Sequence, residues 1–107
     1  MAQISFSIVV VCLNPGEKLL KTVQSVLNQK YGNYEIVVKD GGSTDGSLEQ
    51  LPADSRIRVY TRPDSGIYDA MNQAMSYVTG QFVQFLNCGD LLPVSYTHLR
   101  AHETDQY

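Results

Sequence analysis

The sequence predicts an α/β domain built on a largely parallel, Rossmann-like sheet with helices on both faces. Three observations carry that prediction. Continuous β-branched runs alternate along the chain with segments of helical period, which is the pattern of right-handed βαβ units. The runs are nearly unbroken in their apolar character, as in strands buried on both faces. Each run also ends in a polar cluster, around Asn14, Asp40–Ser47, Arg62–Gly66 and Asn87–Asp90. In a doubly wound sheet those carboxyl ends share one edge, where ligands bind.

Each element has its own justification. Phe6–Leu13 reads as the first strand, and the stretch after it opens a helix. Asn14 suits the N-cap, Pro15 the first helical position and Glu17 the third position after the cap. Leu19, Leu20, Val23, Val26 and Leu27 then form one helical face, ending near Tyr31-Gly32-Asn33. The second strand is YEIVVKD; the turn DGGSTDGS and a short helix over SLEQL follow it. RIRVYT is the third strand. Ile67, Ala70, Met71, Ala74, Met75 and Val78 hold i, i+3, i+4, i+7 spacing, predicting a helix with Met71 and Met75 facing the core. Asp64 or Ser65 is placed to cap its start and Gly80 to end it. QFVQFL is the fourth strand, running into NCGD. The expected strand order 3-2-1-4 makes the first and fourth strands neighbours and brings Cys12 and Cys88 close together, both reduced.

Composition narrows the function. At 107 residues the chain has room for one domain with a modest core. A net charge of −3 does not suit a nucleic-acid binder. No stretch reaches the roughly 20 apolar residues of a membrane span, and Met1–Ser5 does not read as a signal peptide. Two cysteines make neither a disulfide framework nor a zinc pattern, so a reducing cytosolic setting is expected.

The loop DGGSTDG is neither G-x-G-x-x-G nor a Walker A sequence. A carboxylate at Asp40 can accept hydrogen bonds from a base or ribose, and Gly41 and Gly42 let a flat ring approach. Asp90 offers a hard oxygen ligand, enough for magnesium or manganese held mostly by a diphosphate. Arg62 reads as a solvated charge at a strand end. Another reading of the same crevice is a non-catalytic nucleotide-binding or phosphoacceptor module working through Asp40. Lys39, which alternates away from Asp40 on the strand, argues against the phosphoacceptor.

Taken together, SIVVVCLN, EIVVKDGGSTDGS, RPDSGIYDAMNQAM and GQFVQFLNCGD resemble the family 2 glycosyltransferases of the GT-A fold, in the bacterial cell-surface polysaccharide type. The resemblance runs from about Phe6 to Leu92. It implies inverting transfer of a hexose from a nucleotide-diphospho sugar to a saccharide or lipid-linked acceptor, as in exopolysaccharide synthesis. It implies donor contacts at Cys12, Leu13, Asn14, Asp40 and Asn87, with Asp40 on the base and Asp90 on a divalent Mg or Mn ion. Gly42 on the glycine loop and Asp69 on the polar side of its helix are further candidate donor contacts. It further implies a cytoplasmic protein, peripherally associated with the inner face of the membrane in its full-length form.

The chain departs from the family pattern in places. Val11-Cys12-Leu13 stands where Pro-Thr-Tyr is common, Asp40-Gly41 where two acids are common, and Asn87-Cys88-Gly89-Asp90 at the Asp-x-Asp position. Ala70-Met71-Asn72 lacks the arginine often found there.

Beyond Pro93 the pattern breaks. VSYTHLRAHE resembles the in-frame translation of a sequencing adapter, so His98 and His102 are not expected to form a metal site despite their i, i+4 spacing. Met1–Pro93 is therefore expected to be the donor-binding half of a glycosyltransferase domain, inactive by itself, and Val94–Tyr107 a non-native tail. The catalytic base is expected in the acceptor-binding half, and no residue here is assigned to it.

Overall fold

A computed structural model describes residues 5–29 and 32–89. The expectations for Asp90, for both histidines and for the tail from Val94 concern residues outside those described.

Among the described residues four strands form one parallel sheet: β1 (Phe6–Cys12), β2 (Tyr34–Asp40), β3 (Ile57–Thr61) and β4 (Phe82–Asn87). Their order is β3-β2-β1-β4, as expected. The register pairs Cys12 with Asp40 on one side of β1 and Val11 with Asn87 on the other. Cys12 and Cys88 each follow the Val11–Asn87 pair by one residue, and both are free thiols.

Alternation along β1 and β2 divides the core between the sheet faces. Phe6, Ile8, Val10, Ile36 and Val38 pack with Leu19, Val23 and Val26 of helix α1 (Glu17–Leu27). On the other face Val9, Val11 and Val37 pack with Ala70 and Ala74 of helix α2 (Ile67–Met75). A short 3-10 turn over Leu48–Gln50 stands where a brief helix was expected.

Three local expectations need correction. Helix α1 starts at Glu17 with Gly16, not Asn14, in the cap position. Asn14 takes φ 47°, a conformation asparagine tolerates, and its side-chain oxygen accepts the Thr44 N–H at 2.8 Å. It thus ties two loops together across 30 residues of sequence. Helix α2 ends at Met75 with Ser76 as its cap, and Tyr77 leaves the helix to stack on Tyr60 of β3. Gly80 instead passes so close to β1 that a Cβ would lie 2.8 Å from backbone atoms of Phe6 and Ser7. Met75 is exposed; Ala70 and Ala74 are the residues of α2 that are fully buried, with Met71 partly so.

Candidate functional site

The polar endings of β1, β2 and β3 do converge, and a dense lattice of hydrogen bonds joins them. Asp40 is wholly buried. Its carboxylate accepts the Gly42 N–H at 3.1 Å, the Ser43 N–H at 2.9 Å, the Cys12 thiol at 3.6 Å and the Thr61 hydroxyl at 3.4 Å. The Ser43 hydroxyl donates to it as well. Burial pushes this carboxyl up, but the Ser43, Gly42 and Cys12 donors outweigh it and hold it below the usual carboxylate range. Gly42 itself has φ 116°, which only glycine adopts without strain.

The neighbouring loop is stitched on from β1. Asn14 N–H donates to the Ser43 hydroxyl at 2.7 Å, Gly16 N–H to Asp45 at 2.9 Å, and Gly41 N–H to the Cys12 carbonyl at 3.0 Å. From the other side, Lys39 is also fully buried. It reaches past the strand end to donate to the Arg62 carbonyl at 2.6 Å, the Asp40 carbonyl at 3.2 Å and the Asp64 carboxylate at 2.9 Å. A buried lysine needs such partners, since an unpaired charge there costs several kcal/mol.

Between the end of β1 and the start of α2 lies a cleft of about 240 Å³. Val11, Cys12 and Leu13 form one wall, and Asp64, Gly66, Ile67 and Ala70 the other. Sites for whole small molecules usually exceed about 300 Å³, so this cleft suits one flat group and its immediate attachment. Burial, and then the Asp40 charge, push the Cys12 thiol up to about 12. It stays protonated at neutral pH and offers surface rather than a nucleophile.

The sequence-predicted residues divide accordingly. Cys12 and Leu13 line the cleft. Asn14 and Asp40 brace the loop beside it, and Gly42 sits exposed on that loop. Direct contact of Asp40 with a base is not what the structure shows, because its carboxylate is closed in by its own donors. Asp69 steadies the start of α2: its Oδ2 accepts the Ser65 N–H at 2.9 Å and the Gln73 amide at 3.2 Å. Asn87 is exposed at the end of β4, and the following Gly89 N–H is held by Thr22 of α1 at 2.8 Å. Arg62 is exposed, as expected of a solvated charge. Among the described residues no three His, Cys, Asp or Glu side chains cluster to hold a metal, so they do not by themselves build a cation cage.

The family model for "Glycosyl transferase family 2" matches residues 7–95. The chain belongs to that family. Among curated relatives, this family 2 chain is 35% identical over 97 residues to a PGL/p-HBAD biosynthesis glycosyltransferase of Mycobacterium bovis, covering 86% of the chain and 38% of that protein. It is 34% identical over 91 residues to glycosyltransferase GlyG of Streptococcus pneumoniae, covering 80% of the chain and 30% of that protein. The chain thus spans about a third of the length of these relatives. Two solved structures share the fold. The S. aureus TarS fragment 1–349 superposes with a TM-score of 0.79 at 23% identity, covering 96% of this chain and 33% of that one. Mannosyltransferase PcManGT of Pyrobaculum calidifontis does so with a TM-score of 0.79 at 22% identity, covering 92% and 31%. The fold is therefore that of the GT-A enzymes, in their amino-terminal half.

Two residues of this family 2 site escaped the sequence reading. Asp64 read as a helix cap, and Lys39 only as a strand residue alternating away from Asp40. A signal existed for Lys39: it stands two residues after Val37, on the face that packs against α2, where a lysine must find a partner.

Proposed function

We propose that the chain is the donor-binding part of an inverting glycosyltransferase that takes a nucleotide-diphospho sugar. The single observation that carries this is the cleft at the carboxyl edge of the sheet in a family 2 chain, lined by the end of β1, Asp64 and the start of α2. Two fold neighbours supply support of a general kind: TarS has been crystallised with UDP-GlcNAc and with UDP, and PcManGT with GDP-Man and Mn2+.

On this reading, Cys12 and Leu13 contact the nucleoside, and the Ser43 and Asn14 lattice fixes the loop over which the rest of the donor passes. Asp90 stands three residues after the end of β4 in the sequence and is our candidate for the carboxylate on a Mg or Mn ion. Such an ion would neutralise charge on the departing diphosphate. In inverting transfer an acceptor hydroxyl attacks the anomeric carbon as the bond to the diphosphate breaks, and a general base takes the hydroxyl proton. We assign no base within this chain. A saccharide or lipid-linked acceptor, cytoplasmic location and a role in cell-surface polysaccharide synthesis complete the proposal.

Calorimetric titration with the uridine, guanosine, cytidine and adenosine diphosphates, with manganese present, tests donor binding. Saturable binding of at least one is expected. No heat from any of the four would overturn the reading.

A further inference from the structure

Among the described residues, Asp64 is the one charged side chain that lines the cleft. Its side chain is 14% exposed, whereas Asp40 is closed off entirely. Lys39 Nζ lies 2.9 Å from Oδ2, and the Gly66 N–H 3.3 Å from Oδ1. The same Oδ2 would stand 3.1 Å from a Cβ at Gly41, so Asp64 fills space that a side chain at 41 would otherwise take. A carboxylate has about four acceptor positions, and these contacts use two. Asp64 shares the lining of this cleft with Leu13 and Ile67, large, exposed apolar side chains suited to the faces of a flat ring. Lys39 beneath the carboxylate balances its charge, so that a diphosphate nearby is not repelled.

We propose that Asp64, held by Lys39, is the residue that selects the donor's base, accepting the ring N–H that uracil and guanine carry and that cytosine and adenine lack. This rests on the donor-binding reading above. The structural role of Asp64 in pairing Lys39 is a separate matter, so the test must read selectivity rather than affinity alone.

The test is titration of the chain and of Asp64→Ala with UDP, GDP, CDP and ADP. The chain should bind UDP or GDP about tenfold or more tighter than CDP and ADP, the scale of one hydrogen bond to a charged acceptor. Asp64→Ala should bring that ratio close to one. If circular dichroism shows Asp64→Ala unfolded, Lys39→Met/Asp64→Ala, which leaves no buried charge unpaired, replaces it with the same expected ratio. Equal binding of all four nucleotides by the unaltered chain overturns the assignment while leaving donor binding intact. So does a folded variant that weakens all four alike and keeps the ratio, the outcome expected if Asp64 only pairs Lys39 or meets a ribose hydroxyl. Failure of every nucleotide to bind the unaltered chain instead removes the donor site itself, and the assignment with it.

Discussion

Glu35 and Asp40 stand near opposite ends of β2, both buried and both ringed by donors, and they differ in what they brace. Glu35 lines a polar cleft of about 230 Å³ with Arg56 and Arg58, whereas Asp40 is enclosed and holds the loop beside the cleft of about 240 Å³ at the carboxyl edge. At the amino end, Glu35 Oε2 accepts the Ser7 hydroxyl at 2.6 Å, the Thr79 N–H at 2.7 Å and the Thr79 hydroxyl at 3.0 Å. Ser7 in turn accepts the Gly80 N–H at 2.8 Å. That network fastens β1, β2 and the segment entering β4. At the carboxyl end, Asp40 takes donors from the Gly42–Ser43 loop, from Cys12 of β1 and from Thr61 of β3, and Lys39 fastens the next loop. Between those braced loops and β1 a gap is left open. The same kind of interaction ties strands and the entry to β4 together at one edge and fixes the loops beside a more apolar cleft at the other.

The largest expected contrast comes from truncating the two acids. Glu35→Ala strands the Thr79 and Ser7 donors and should cost about 3 kcal/mol of stability, while leaving nucleotide affinity of the folded protein unchanged. Asp40→Ala should cost a similar amount and in addition abolish measurable nucleotide binding, because the Gly42–Ser43 backbone loses its acceptor. Urea unfolding and calorimetry on both variants check this; equal binding by the two would erase the distinction between the edges.

Gly80→Ala sharpens the amino-end side. A Cβ there would overlap backbone of β1, which has no flexible side chain to move aside, so a loss of about 1–3 kcal/mol is expected in thermal or urea unfolding. A neutral result would mean that the β1–Gly80 approach is loose.

Acid should reveal both ends at once, more gently. For Glu35, burial raises the carboxyl, but the Ser7 and Thr79 hydrogen bonds and Arg58 outweigh it, leaving it lowered. Asp40 is lowered too. The unfolded chain therefore binds more protons than the folded one as pH falls through this window. The stabilisation is complete above the ordinary carboxylate range near about 4 and is lost as pH drops through the lowered values. Urea midpoints followed from neutral pH to about 3 should fall, and Glu35→Gln should fall less steeply. Parallel slopes would show that Glu35 contributes nothing to the pH dependence.

Much of this was legible in the residues. The strands follow from β-branched runs, their order from the alternation with helices, and the location of the site from four polar endings on one edge. What the sequence hid are contacts between distant segments. Asn14 has the chemistry of a cap, but its partner is Thr44, and Gly16 takes the cap instead. Asp40 and Asp64 are both acids at loop starts; only packing shows that one is enclosed and the other lines the cleft. Lys39 illustrates the same limit. Its face could be deduced, but not the carbonyl of Arg62 and the carboxylate of Asp64 waiting at the end of its side chain.

The most direct test of the two-edge account is backbone hydrogen exchange of the chain with and without a saturating nucleoside diphosphate. The account predicts added protection over Cys12–Asn14, Gly41–Thr44 and Asp64–Ile67, with Ser5–Ser7 and Thr79–Gly80 unchanged. Protection concentrated at the Ser7–Glu35–Thr79 edge would contradict it.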